Sequence, residues 1–180
     1  MSRQNDKKFI GSIREATASD ADLLTELGKQ AFYEAFSEVT APDDMRAYLK
    51  STFNKAEIEN RIQDERSLCL IAEMDFVPVG YAYSYPTVTP DCIKDKAAIQ
   101  LVRLYLRKKF YGRTVGDALM QTSIDQSRSR GYQSIWLSSW ELNDRANAFY
   151  KRWGFKVVGR QKFTVGGDIQ NDYILSRKIC

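Results

Sequence analysis

The chain is 180 residues long, carries a formal net charge of +4 and contains no histidine and three cysteines. That length suits one domain that buries most of its apolar surface without cross-links. The missing histidine excludes His triads, His general bases and His metal ligands, and Cys69, Cys92 and Cys180 are too few and too scattered for a disulfide framework or a zinc site, so no metal is expected. The small basic excess is a mild bias toward anionic ligands. The charges are interspersed except at Arg107-Lys108-Lys109, so a nucleic-acid partner is not expected. No stretch approaches the ~20 apolar residues of a membrane span, and the polar start lacks a signal-peptide core. The expectation is a soluble, cytoplasmic, reduced domain with no membrane association.

Residues 1–9 read as a frayed tail and residues 10–180 as one domain. Residues 10–17 fit a first strand. Ser19 with Asp22 reads as a capping box opening a helix striped by Leu23, Leu27, Ala31 and Phe32. Thr40 with Asp43, and Pro42 in the first turn, open a second helix carrying Met45, Leu49 and Phe53. Asn54 with Glu57 opens a third before Ile58 and Ile62. The period then changes to that of strands. Residues 68–72 and 77–85 form a hairpin, and Pro86, Pro90 and Asp91 mark a loop. Residues 99–106 are apolar on both faces except at Gln100 and Arg103, the mark of a central covered strand.

A turn bearing Gly112 and Gly116 leads into a helix running to about residue 130, closed by Gly131. Residues 134–140 form a further strand. Asn143 caps a helix striped by Ala146, Phe149, Tyr150 and Trp153, ended by Gly154. Residues 156–164 and 172–177 pair around Gly166-Gly167. This order gives an α/β (α+β) chain with a mixed sheet and helices on both faces.

Two segments carry the chemistry. In the first, the strand ending Leu104-Tyr105-Leu106 runs through Arg107-Lys108-Lys109-Phe110 into Tyr111-Gly112-Arg113-Thr114-Val115-Gly116-Asp117, where a helix begins. Unpaired N–H groups and the dipole at a helix N-terminus favour phosphate or pyrophosphate. Gly112 permits a tight turn and Gly116 a close approach. By itself the segment reads equally well as a tight strand-to-helix connection with ordinary glycines. It is neither a P-loop nor a Gly-x-Gly-x-x-Gly fingerprint. In the second segment, Asn143 to Phe155, Asn143 alone is a helix cap and Tyr150 alone is a core residue; the combination is more specific.

Together they resemble the GNAT superfamily of N-acetyltransferases. The Tyr-Gly-Arg-Thr-Val-Gly turn after Leu-Tyr-Leu resembles that superfamily's acyl-CoA pyrophosphate loop. Asn143-x-x-Ala146-x-x-Phe149-Tyr150-x-x-x-Gly154-Phe155 resembles its C-terminal motif. A narrower resemblance, to the bacterial spermidine/spermine N-acetyltransferases of the PaiA type, rests on Ala31-Phe32-Tyr33-Glu34-Ala35-Phe36, Pro42 to Leu49, Phe53-Asn54, Ile135-Trp136-Leu137 and Trp140-Glu141.

The resemblance implies the GNAT fold: a mixed, mostly antiparallel sheet of about seven strands, splayed between two parallel central strands, with helices on both faces. Acetyl-CoA, as cosubstrate, would wedge between those strands. It implies backbone contacts from Leu104, Tyr105 and Leu106, with Leu104 or Leu106 as oxyanion donor. It implies pyrophosphate on the backbone of Tyr111, Gly112, Arg113, Thr114, Val115, Gly116 and Asp117. Asn143 and Ala146 would hold the pantetheine arm, Tyr150 would protonate the leaving thiolate, and Arg152 with Lys151 would face phosphates. Tyr33, Glu34 and Trp140 would contact the acceptor.

Two departures stand out. Tyr111 and Thr114 replace the Gln or Arg and the small residue usual in the loop. Val102 stands where many members carry a glutamate base, which leaves Glu141 and Glu34 as candidates. The implied reaction is direct attack of a small amine, a polyamine by the narrower resemblance, on acetyl-CoA. A protein N-terminal or lysine amine as acceptor, or an acyl-CoA-binding regulatory module with little catalysis, stand as alternatives. A homodimer is left open.

Overall fold

The computed structural model describes residues 9–180; all but the last residue of the expected tail lies outside them. The elements are β1 (Ser12–Glu15), α1 (Ala21–Phe36), α2 (Pro42–Thr52), α3 (Lys55–Gln63), β2 (Leu68–Met74), β3 (Val77–Tyr85), β4 (Ala98–Leu106), α4 (Val115–Ser129), β5 (Ser134–Trp140), α5 (Asp144–Arg152), β6 (Lys156–Val165) and β7 (Asp168–Lys178). The seven strands form one sheet in the order β1-β2-β3-β4-β5-β7-β6. Only β4 and β5 pair in parallel; every other neighbour is antiparallel. No helix among the described residues is long and apolar enough to cross a membrane. The expected fold class is the observed one.

The sheet separates two cores. On one face Ile99, Leu101, Ile135 and Leu137 pack with Val115, Leu119, Met120 and Ile124 of α4, with Phe149 and Tyr150 of α5 and the Trp153 that follows it at the margin. On the other, Ile71, Tyr81 and Tyr83 meet Leu24, Leu27, Phe32, Met45, Phe53 and Ile58 of α1–α3. Strand β4 serves both, which explains its apolar character on either side. A β-bulge makes this work: Leu101 pairs with Ser84 and Arg103 with Tyr83, so Val102 is an extra residue. It shifts the alternation, placing Leu101 and Leu104 on the α4 side but Val102 and Tyr105 on the α1–α3 side. Arg103 follows Val102 to that side, with its guanidinium 4.8 Å from the Phe53 ring centroid and donating to the Thr52 carbonyl at 3.2 Å.

Local signals mostly behave as their chemistry requires. The Asn54 side chain accepts the Glu57 N–H at 3.3 Å, and Gly131 takes φ +86° after α4. Two caps differ from expectation. The box that starts the first helical segment is Thr17–Asp20, two residues before Ser19–Asp22. Asp20 accepts the Thr17 N–H at 2.8 Å and two arms of Arg14 at 2.8 Å each, whereas Asp22 is drawn to Lys55 at 2.7 Å. Thr40 does not cap α2 either: it is buried, Ala41 holds the cap position, and Pro42 supplies the preset φ of the first turn.

At the C-terminus β6 and β7 turn at Gly166-Gly167, with Gly166 at φ +61°. This hairpin docks on α2: the Asp44 carboxylate accepts the Gly167 N–H at 2.6 Å, and Tyr48 meets Phe163 with ring centroids 6.1 Å apart. The N-terminal helices and the last two strands thus share one wall.

Candidate active site

Strands β4 and β5 pair only at their beginnings, Ala98 with Ser134, Ile99 with Ile135 and Gln100 with Trp136. Both continue, to Leu106 and Trp140, without further partners between them. The direction of the freed groups follows from the other edge of β4. Arg107 donates its N–H to the Val79 carbonyl at 3.0 Å, so the pairs directly opposite alternate from there: Tyr105 with Tyr81 bonds to β3, while Leu104 and Leu106 turn their N–H and C=O groups toward β5. Interior backbone groups need partners. An extended ligand with amides of its own fits between such strands.

Beyond β4 the chain makes a short 3-10 turn at Lys108–Phe110 and bends at Gly112, φ +68°, before α4 begins. The first bond closing α4 runs from the Ala118 N–H to the Thr114 carbonyl at 2.9 Å, so the N–H groups of Val115, Gly116 and Asp117 stand at the helix N-terminus without i−4 acceptors. Gly116 has a packing reason beyond any ligand: a Cβ there would lie 3.3 Å from Leu106 Cδ1 and 3.5 Å from Phe149 Cε2. Cations ring the turn. Arg145 stacks on Tyr111 at 3.6 Å and Arg113 lies 5.5 Å from Phe110. The Asp117 side chain accepts from Trp153 Nε1 at 2.8 Å, with Arg152 at 3.7 Å, and so ties the start of α4 to the end of α5. Helix N-terminus, basic rim and open strand edge together suit a long ligand with a pyrophosphate end.

Helix α5 supplies the next groups. Asn143 caps it, accepting the Ala146 N–H at 3.2 Å, which commits Oδ1 and leaves the amide nitrogen available. Tyr150 packs edge-on to Phe155 and Phe149, with centroids 5.8 and 5.5 Å away, and burial pushes its phenol up to about 12. It keeps its proton at neutral pH. Desolvation also holds the Tyr105 phenol, on β4, well above its ordinary value.

A solvent-open cleft lies where β4 and β5 end. Glu34, Phe36 and Glu38 of the α1 region line it with Lys108, Tyr111, Trp140, Asn143 and Arg145. Four residues expected at a site, Glu34, Tyr111, Trp140 and Asn143, therefore meet there. Tyr33 does not line it; it is 54% exposed on α1. Glu34 is already engaged, accepting the Lys108 N–H at 2.6 Å and facing Arg107 Nε at 3.2 Å. Glu141 accepts from Asn171 Nδ2 at 3.0 Å, away from the cleft lining.

No motif in the sequence singles out Asp172. It sits in β7 directly opposite Trp140, 5% exposed, where the expected strand boundary had made it look like a terminal residue. Ser138 donates its hydroxyl to Asp172 Oδ2 at 2.5 Å and Gln161 donates to Ser138 at 3.0 Å. The one available signal was an acid at an inward position of an alternating strand.

The model of the acetyltransferase (GNAT) family matches residues 29–155. Among curated proteins, the chain is similar to an uncharacterised N-acetyltransferase of Lactobacillus delbrueckii subsp. lactis, 25% identical over 167 residues that cover 93% of this chain and 96% of that one. It is similar to another of Mycobacterium bovis, 28% identical over 161 residues covering 89% and 99%. Among solved structures, the PaiA N-acetyltransferase of Thermoplasma acidophilum in complex with coenzyme A superposes with TM-score 0.77 at 18% identity, covering 94% of this chain and 99% of that one. The ribosomal-protein-S18-alanine N-acetyltransferase of Escherichia coli gives 0.71 at 16% identity, covering 94% of each.

Proposed function

We propose that this chain, which belongs to the acetyltransferase (GNAT) family, transfers the acetyl group of acetyl-CoA to the amine of a small substrate of polyamine type. The observation that carries the reading is the divergence of β4 and β5 beyond Gln100 and Trp136, with the backbone of Leu104 and Leu106 turned into the gap and the N-terminus of α4 at its end. Bound acetyl-CoA supplies an acetyl thioester that an amine can attack.

The chain's own groups then have distinct tasks. The Leu104 or Leu106 N–H donates to the acyl oxygen, a preorganised donor where negative charge develops. The N–H groups of Gly112 to Asp117 and the cations Arg113, Arg145 and Arg152 hold the phosphates. The Asn143 amide nitrogen and Ala146 hold the pantetheine arm. Tyr150 donates to the leaving sulfur. A phenol at about 12 facing a thiolate whose ordinary pKa is ~8.5 gives a hydrogen bond readily and a full proton only uphill. Its part is therefore stabilisation of the thiolate, with protonation completed afterwards.

For the acceptor, the exposed acids Glu38 and Asp144 at the cleft support a polycation. So does the fold likeness to the PaiA structure. The test is release of free CoA thiol from acetyl-CoA with spermidine, spermine, shorter diamines and a peptide with a free N-terminus. Release fastest with the polyamines is expected. Release with the peptide alone would move the acceptor to a protein amine, and release with none would overturn the reading.

A further inference from the structure

The acetyltransferase reading above, on which this inference rests, leaves open which group prepares the acceptor amine. An alkyl ammonium must lose a proton before nitrogen can attack, and β4 has no acid anywhere from Ala98 to Leu106. Glu34 has both oxygens engaged by Lys108 and Arg107, and Glu141 is bonded to Asn171. Asp172 is in a different condition. Its Oδ2 is held by Ser138, while Oδ1 is buried with no hydrogen-bond partner among the described residues.

An unpaired oxygen of a buried carboxyl is expensive, and native structures keep one only where something pairs with it. Its position says what that is. Asp172 and Trp140 stand opposite each other in register, hence on the same face of the sheet, and Trp140 lines the cleft. Phe36 meets Trp140 edge-on at 6.4 Å. The Trp140 side chain, whose indole is a favourable face for ammonium, therefore belongs both to the cleft lining and to the cross-strand pair with Asp172. Ser138, which Gln161 holds in turn, fixes the Oδ2 side of the carboxyl.

We infer that Asp172 is the carboxylate that binds the acceptor's ammonium group and takes its proton. One N–H bond breaks and one O–H bond forms on Oδ1. The electron pair stays on nitrogen, which becomes the nucleophile, and the carboxyl returns the proton to solvent after the product leaves. Burial moves the Asp172 pKa upward, toward the working range of a general base. Among the described residues, the groups that bear on it include no cation: Ser138 and Trp140 from β5, Glu141 just beyond that strand, Gln161 from β6 and Tyr48 from α2.

The test compares wild type, Asp172→Asn and Ser138→Ala by CoA-thiol release from about pH 5 to pH 9, with the CoA-induced thermal shift as a folding control. Wild type is first shown to turn over at least one amine; if it turns over none, the acetyltransferase reading falls and this inference with it. With an active wild type, Asp172→Asn is expected to keep its CoA-induced shift, lose about 100-fold or more in kcat and lose the acid limb of the profile. Ser138→Ala removes the donor to the charged form and is expected to move that limb to higher pH. An Asp172→Asn enzyme with wild-type kcat and limb overturns the inference alone. Should Asp172→Asn not fold, an unmoved limb in Ser138→Ala overturns it.

Discussion

The carboxylate of Glu34, on α1, accepts the backbone N–H of Lys108 at 2.6 Å and faces the Arg107 guanidinium at 3.2 Å. Both partners belong to the turn that follows β4, seventy-odd residues along the chain. The pair is partly buried, with side-chain exposures of 27% and 23%, so solvent screens it less than the surface pairs. It straps the N-terminal helix to the turn proposed to hold phosphate.

Glu34→Ala is expected to destabilise the fold by about 1.5–3 kcal/mol, the usual range for hydrogen bonds to a charged group, and to raise KM for acetyl-CoA by loosening the turn. Glu34→Gln keeps an acceptor for the Lys108 N–H and is expected to be milder in both respects. Urea denaturation and acetyl-CoA titration measure the two effects. An Ala variant with unchanged midpoint and KM would show that the strap carries no load.

Tyr150→Phe is expected to lower kcat about tenfold to hundredfold, which corresponds to one hydrogen bond to a charged atom. CoA affinity should stay near wild type. The limit comes from the phenol's pKa, pushed up by burial to about 12. A loss of ~10⁴-fold would instead mark a full proton transfer in the rate-limiting step.

Gly28→Ala sets two effects against each other. Within a helix, alanine gains about 1 kcal/mol over glycine. At Gly28, however, the added Cβ would sit 2.4 Å from Phe53 Cε1 and 2.8 Å from the Tyr81 hydroxyl. Overpacking a tight core costs about 1–3 kcal/mol, and both neighbours are held in the same aromatic cluster. Net destabilisation by chemical denaturation is the expected result; a stabilised variant would mean that Phe53 moves freely.

Acid should expose the Arg14–Asp20 pair. Hydrogen bonds from the Arg14 guanidinium, the largest influence, hold the Asp20 carboxyl well below the ordinary carboxylate range. A depressed folded-state pKa adds stability that is complete above the unfolded value, ~4, and is lost as pH falls below it. Wild type should therefore be more stable than Asp20→Asn at neutral pH, and the gap should narrow steadily in acid. Melting curves from about pH 7 to pH 3 check this; a gap independent of pH would remove Asp20 from the account.

Element order and both cores were legible in the sequence because each depends on periodicity. Asn54, Gly131 and Asn143 were legible because their backbone positions ask for those residue types. The first cap lies two residues before the pattern at Ser19 and Asp22. The segment from Thr17 to Asp22 contains two overlapping capping patterns, and the choice is made by Arg14, which holds Asp20 from the neighbouring strand. The divergence of β4 and β5 left no local mark on either strand; only the resemblance implied it. The bulge at Val102 was equally silent, since an extra residue in an apolar run changes no pattern. Asp172 was hidden for a related reason: an acid before Tyr173-Ile174-Leu175 looks like a strand boundary, and only pairing to Trp140 shows it to be interior.

The bond from Asp44 to the Gly167 N–H has a consequence for synthesis. A chain emerging from its N-terminus can form α1–α3 and begin the β2–β3–β4 meander early, since those contacts are nearby in sequence. The wall that α2 shares with the last two strands cannot close then, because one side of it is the last hairpin. Until residue 167 has been made, Asp44 lacks the Gly167 N–H, and before Phe163 is made Tyr48 has its stack on Phe32 without its edge contact from β6. A nascent chain stalled short of β7 would thus have the strands proposed to hold the acyl donor without a finished place for the acceptor.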